Sequence, residues 1–171
     1  NLILGPNGSG KSTLIGLITG IYIPNSGSIS VSSDRFSYVG PVPLIFNESL
    51  LNNISYGVDN EEVEKSDYLD YLDKFKVFEK LNNDTLDMQV STRSLSSGQM
   101  QKISFIRAFL RNPEILFLDE AISNIDKESV EIITNQLEKF SGTILNITHN
   151  PEKFKNTDKI FKILNKSLIE S

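Results

Sequence analysis

Cysteine is missing from all 171 residues, which excludes a disulfide framework and any thiolate metal site. A cytosolic environment fits that composition. Long apolar runs are missing too, since none approaches the ~18–20 residues that a membrane-spanning helix needs. No charged-then-apolar leader opens the sequence. If a membrane takes part in the function, the segment that crosses it is expected on another polypeptide or in a further domain. Basic charge is scarce as well. Lys and Arg number 17 against 22 Asp and Glu, a formal net charge of -5, which argues against a nucleic-acid partner. Histidine occurs once, at position 149.

What is present is ordinary in bulk and specific in detail. A hydrophobic share of 39% over this length suffices for one domain with a sizeable core. Apolar β-rich runs alternate with helical ones. Leu2–Leu4, Ser28–Ser32, Phe36–Val39, Ile115–Leu118, Thr143–Ile147, Lys159–Leu164 and Leu168–Glu170 read as strands. Lys11–Thr19, Asn60–Lys80, Ser97–Leu110 and Lys127–Phe140 read as helices, with Pro24–Gly27 a turn and Asn112–Pro113 a helix stop. Such alternation predicts an α/β fold with a largely parallel sheet. The first residues, "NLILG", read as a strand already under way, so the sequence is expected to be a piece of a longer chain.

Three motifs carry chemistry. "GPNGSGKST", Gly5–Thr13, follows a strand, opens a helix and fits G-x-x-x-x-G-K-[ST]. Gly5, Gly8 and Gly10 let the backbone turn tightly and aim N–H groups inward. The helix start adds partial positive charge where phosphates sit. Lys11 can reach β- and γ-phosphates, and the Ser12 hydroxyl can bind Mg²⁺. "ILFLDE", Ile115–Glu120, is an apolar strand that delivers two acids at its C-terminal end, where open α/β sheets bind ligands. Asp119 can hold Mg²⁺ through water, and Glu120 can deprotonate an attacking water. The third motif is "LSSGQ", Leu95–Gln99, at the start of a helix.

Taken together, Gly5–Thr13, Leu95–Gln99 and Asp119–Glu120 resemble the nucleotide-binding domain of ABC transporters, exporter-like in type. The resemblance covers Leu2 to Glu170. It implies a P-loop NTPase core with a small helical subdomain at roughly 47–110. It also implies that N-terminal antiparallel strands, with the aromatic that stacks on adenine, are missing from this sequence. Nucleotide contacts are implied at Gly5, Pro6, Asn7, Gly8, Ser9, Gly10, Lys11, Ser12 and Thr13. Further contacts, from Ser96, Ser97, Gly98 and Gln99, reach ATP held by the opposite protomer. The family form of this signature is L-S-G-G-Q, so Ser97 replaces a glycine. Ser123–Asp126 resembles the D-loop, which crosses the dimer interface. His149 follows "TILNIT" where the family places its switch histidine, so Glu120 and His149 are the implied catalytic pair and Ser12 and Asp119 the implied metal ligands. ATP and Mg²⁺ are the implied cofactors. The implied partners are a second nucleotide-binding domain, identical or not, and a transmembrane domain reached through its coupling helix. The implied place is the cytoplasmic face of the cell membrane, with no nucleic acid.

The stretch "YVGPVPLIF", Tyr38–Phe46, resembles the family's Y-V-P-Q-x-P-x-L-F, the strand and Q-loop that form the groove for a coupling helix. The glutamine of that pattern falls on Pro41, which offers no amide to Mg²⁺. Asn47 is an alternative bearer of that role. "MQVSTRSLSSGQ" also lacks the acid and glycine that exporters often carry before the signature. Two other function classes stay open. One is a soluble ABC ATPase of chromosomes or ribosomes, though no long heptad coiled coil splits the motifs. The other is a degenerate regulatory domain that binds ATP without turning it over, a reading that Pro41 supports and that Glu120 and His149 oppose.

Overall fold

A computed structural model describes residues 1–58, 63–82, 84–123, 125–154 and 156–171. In chain order the elements are β1 (Leu2–Leu4), α1 (Lys11–Ile18), β2 (Phe36–Val39), β3 (Glu48–Ser49), α2 (Leu50–Ser55) and α3 (Lys65–Lys74). They continue as β4 (Gln89–Val90), α4 (Ser97–Leu110), β5 (Ile115–Asp119), α5 (Lys127–Leu137), β6 (Thr143–Ile147), β7 (Ile160–Leu164) and β8 (Ser167–Glu170). The main sheet has six strands in the order β2-β5-β6-β1-β7-β8, parallel throughout except for the antiparallel β7–β8 edge pair. A two-stranded ribbon, β3 with β4, lies apart from it.

The inner strands β1 and β5 are buried on both faces, which is why they read as continuous hydrophobic runs. Successive side chains of β5 point to opposite sides. Phe117 joins Ile3, Ile15, Ile147 and Ile163 in the cluster under α1. Leu116 and Leu118 join the larger cluster, which Ile103, Phe105 and Ile106 of α4 and Ile133 of α5 complete.

Two expectations fail. Ser28–Ser32 is not a strand, and Ile29 and Val31 are each 43% exposed. A strand needs a partner for its backbone groups, and among the described residues none pairs with this serine-rich run. The long helix expected over Asn60–Lys80 is shorter. Residues 60–62 lie outside the described residues, and α3 stops at Lys74 because Phe75 caps it and Lys76 takes a left-handed φ of 46°. Leu72 and Phe75 are nevertheless buried, as their spacing requires. At its other end, α5 closes with Leu137, three residues before Phe140.

The apolar loop before α2 is fastened from beneath. Asn53, fully buried, accepts from the Phe46 N–H at 2.8 Å and donates to the Phe46 and Ser49 carbonyls at 3.1 and 3.0 Å. Arg107 of α4 reaches the same place, donating to the carbonyls of Leu44 and Asn53 and to Asn53 Oδ1. Its guanidinium lies over the rings of Phe46 and Tyr56, 5.9 and 5.8 Å from their centroids. Burial pushes its pKa down to about 10, with Tyr56 opposing that shift, so it stays charged at neutral pH. Ile45 packs on the larger core, while Val42 and Leu44 stay 83% and 53% exposed. The loop therefore divides, with one part anchoring it and the other facing out along a cleft of about 580 Å³. Phe36, Tyr38, Pro41, Tyr56, Ser104 and Arg111 are among the residues that line it.

Arg107→Met keeps the length of the side chain but leaves the Leu44 and Asn53 carbonyls without a donor. A loss of about 2–3 kcal/mol is expected in chemical denaturation. A change within 0.5 kcal/mol of zero, roughly the level of an ordinary surface substitution, would show that the loop does not depend on it.

Candidate active site

β1 ends at Leu4 and the chain swings through Gly5–Gly10 into α1. Gly8 and Gly10 adopt φ of 76° and 97°, left-handed values that a side chain would strain. Gly5 is required for space, because a β-carbon there would stand 2.8 Å from Ser9 Oγ and 3.2 Å from the Ile163 carbonyl. Gly10 caps α1 without any side-chain acceptor, and no acid lies in the first turn. The N–H groups at that helix start are therefore left for a ligand. Lys11 is 6% exposed, and its Nζ donates to the carbonyls of Gly5 and Pro6 at 2.9 and 3.1 Å. The ammonium closes the loop upon itself. Ser9 Oγ is buried and has no hydrogen-bond partner among the described residues. Pro6, Asn7, Gly8, Ser12 and Thr13 face solvent around this hollow.

Across the sheet edge, β5 delivers Asp119, 7% exposed, beside the Tyr38 hydroxyl, whose oxygen is 3.5 Å from Asp119 Oδ2. Burial, and next the Asp119 charge, raise the Tyr38 pKa, so this phenol is a proton donor at neutral pH. Glu120 has a φ of 51°, a strained value for a residue other than glycine. Three contacts hold it: its N–H donates to the Ile147 carbonyl at 2.9 Å, and its carbonyl accepts from the Ser123 N–H and hydroxyl at 3.1 and 2.8 Å. His149, two residues beyond β6, puts Nε2 3.0 Å from Glu120 Oε1. The phosphate loop, Asp119, Glu120 and His149 thus all sit at the C-terminal edge of the parallel strands.

The signature segment lies elsewhere. Ser96 and Gln99 form a reciprocal cap on α4. The Ser96 hydroxyl oxygen accepts from the Gln99 N–H at 3.2 Å, and Gln99 Oε1 accepts from the Ser96 N–H at 2.9 Å. Gln99 Nε2 donates to the Val77 carbonyl, so both ends of its amide take part. Ser96 and Ser97 are exposed, and among the described residues the Ser96 hydroxyl donates to none. Gly98 is buried against the next loop, where a β-carbon would stand 2.4 Å from both Asp126 Oδ2 and Ser129 Oγ. Among the described residues, Ser96–Gln99 makes no hydrogen bond to the phosphate loop of the same chain. Of the D-loop-like run Ser123–Asp126, Asn124 lies outside the described residues. Asp126 caps α5 through the Ser129 N–H and hydroxyl at 2.8 and 2.7 Å.

The groups present suit a phosphate ligand with a hard divalent cation. Asp119 is a buried carboxylate with no cation partner among the described residues, and Ser12 is an open hydroxyl. No three His, Cys, Asp or Glu side chains converge among the described residues, so a cation here would share its oxygens with the phosphates.

Sequence reading matched Tyr38 and Asn53 to the family's pattern without giving either a role, and it missed Arg107. Arg107 leaves one signal, a charge inside the apolar helical run "SFIRAFL". The role of Tyr38 leaves none, because it depends on which strand lies beside it.

Comparison with known proteins gives a consistent picture. The profile of the ABC transporter family matches residues 1–123. The ATP-dependent permease MDL1 of Candida albicans is 34% identical over 92% of this chain, and the mitochondrial ATP-binding cassette sub-family B member 10 of Mus musculus is 33% identical over 91%. The ATP-dependent lipid A-core flippase of Aliivibrio fischeri is 32% identical over 98%. The chain spans only 26%, 24% and 32% of the lengths of these relatives. The solved structure of a bacterial Atm1-family ABC exporter with ATP bound superposes with a TM-score of 0.84 over 99% of this chain, at 24% identity and 33% of its own length. That likeness places the chain in the P-loop NTPase fold.

The Asp126 carboxyl is held below the usual aspartate range, first by the Ser129 N–H and hydroxyl and last by the Lys102 charge. Its contribution to stability is present above about pH 4 and is lost as the pH falls below that value. Denaturation of Asp126→Asn and wild type is expected to diverge above that pH and to converge in acid. A constant gap across the range would contradict the assignment.

Proposed function

The chain belongs to the ABC transporter family, and from that premise we propose that it is the ATP-binding and ATP-hydrolysing domain of an exporter, working as one of a pair. The observation that carries the reading is the convergence of the phosphate loop, Asp119, Glu120 and His149 at one sheet edge. In this reading residues 1–171 form one nucleotide-binding domain, with a helical subdomain at roughly 47–110.

ATP would lay its phosphates along Gly5–Thr13, where the uncapped start of α1 presents N–H donors. Lys11 would turn its ammonium from the Gly5 and Pro6 carbonyls to the β- and γ-phosphates, a charge-assisted exchange. Ser12 and Asp119 are the residues that would hold Mg²⁺, which when bound supplies charge neutralisation on the phosphates. Glu120 would take the proton of the attacking water. His149, already at 3.0 Å from that carboxylate, would fix its orientation and face the γ-phosphate. Ser96, Ser97 and Gly98 would complete the site of a second domain, identical or different. Two features among the described residues support this: the Ser96 hydroxyl has no acceptor, and the signature makes no hydrogen bond to its own phosphate loop. Gln99, which caps α4, would stand beside these residues with one amide N–H that the cap does not use.

The cleft beside Val42 and Leu44 is where a transmembrane partner's coupling helix would seat, and the domain would then lie at the cytoplasmic face of the membrane. Among the described residues no helix is long and apolar enough to cross a membrane. In this reading the partner provides that part.

Lys11→Ala is expected to weaken ATP binding in calorimetry on the order of 10–100-fold, the value of a hydrogen bond to a charged group. Unchanged affinity would remove the phosphate-loop assignment. Glu120→Gln is expected to keep ATP binding and lose turnover, so that size-exclusion chromatography in Mg-ATP shows a trapped dimer. A variant that hydrolyses ATP at the wild-type rate would show that Glu120 is not the base.

A further inference from the structure

The family's glutamine is replaced by Pro41, so no amide reaches the cation side of the site from that position. The alternative bearer, Asn47, is exposed one residue beyond the Phe46 anchor, and no hydrogen bond links it to Asp119 among the described residues. A different polar group is within reach. Tyr38, on the same strand, carries its hydroxyl to 3.5 Å from Asp119 Oδ2, and Asp119 is the only side-chain partner of that hydroxyl among the described residues. The separation is long for an O–H···O bond. Contacts of this kind are often long before the ligand arrives and tighten in its presence.

The local sequence makes room for this placement. Phe36, two residues earlier and so on the same face of β2, packs into the cluster under α1. Tyr38 therefore faces the side of the phosphate-loop helix. Its ring folds back over Gly40, where a β-carbon would meet the hydroxyl oxygen at 2.9 Å and the ring at 3.1 Å. The family pattern carries tyrosine at the Tyr38 position too, beside a proline where this chain has Gly40; in this chain the ring lies directly over that glycine. Gly40 is itself held in place, its carbonyl accepting from Gln101 Nε2 of α4 at 2.9 Å. With Pro41 offering no amide, the Tyr38 hydroxyl is the polar side-chain group of this strand that lies beside Asp119.

We propose that Tyr38 is a positioning residue for the nucleotide site, its hydroxyl donating to Asp119 and holding that carboxylate toward the cation side in place of the absent glutamine. The inference rests on the reading of the site as one for ATP with Mg²⁺.

Calorimetric titration of the full chain with ATP, in EDTA and at stepped Mg²⁺ concentrations, tests it without recourse to turnover. Tyr38→Phe keeps the ring over Gly40 and removes only the hydroxyl. It is expected to leave ATP affinity in EDTA unchanged and to raise the Mg²⁺ concentration needed for full affinity about tenfold. The double variant Tyr38→Phe with Pro41→Gln is expected to recover the wild-type Mg²⁺ dependence, because an amide returns to the family position. A Tyr38→Phe chain with the wild-type Mg²⁺ dependence would overturn the proposal. So would an equal loss in EDTA and in Mg²⁺, which marks a purely structural role. A wild-type chain that binds no ATP under either condition would overturn the nucleotide reading itself and this inference with it.

Discussion

The parallel register on either side of β6 is the constraint on which the site depends. Ile147 is the partner of Ile3 on one side and of Asp119 on the other, and its carbonyl accepts the Glu120 N–H. That single row sets how far the phosphate loop, two residues past Ile3, stands from the acid pair, and it places His149 two residues past Ile147. Because parallel strands all end at the same edge, three polar segments far apart in sequence arrive together, and the Glu120–His149 contact joins two of them. A slip of one residue in β6 would turn every one of its side chains to the other face. It would also separate His149 from Glu120.

The same edge connects to the cleft through a short path. β2 lies beside β5, so Tyr38 is opposite Phe117 and close to Asp119. From Tyr38 the chain runs through Gly40, tied to Gln101, and on to Leu44, tied to Arg107. Both ties lead to α4, whose first residues are the signature. One helix therefore touches the cleft with its middle and presents the signature with its start. In the proposed function this gives a material route between a membrane partner and a neighbouring domain's phosphate. The route is made of named hydrogen bonds, and its strongest member is a buried guanidinium satisfied mainly by carbonyls.

Much of this was legible in the sequence, for identifiable reasons. β1, β2, β6 and α4 fall where the apolar runs place them, because strands and a helix that pack on the core carry strong hydrophobic signals. The phosphate loop, the acid pair and the signature were legible because each depends on a local backbone shape that specific residues encode. Ser28–Ser32 failed because β propensity alone does not provide a pairing partner. The end of α3 failed because Lys76 adopts a left-handed backbone that its sequence does not announce. The roles of Tyr38 and Arg107 were missed because they are fixed by neighbours 81 and 54 residues away, which no local window contains. The apolar loop at Gly40–Phe46 was read as interface, whereas Ile45 and Phe46 in fact anchor it and only Val42 and Leu44 remain for a partner.

In the proposed function no single chain holds a complete site, since among the described residues the signature makes no hydrogen bond to the phosphate loop of its own chain. The most direct measurement is ATP turnover per chain as a function of chain concentration, at fixed saturating Mg-ATP. Completion by a neighbour predicts a rate per chain that rises with concentration and then levels as pairs form. A rate per chain that stays constant down to nanomolar concentration would contradict it, because one chain would then be hydrolysing ATP alone.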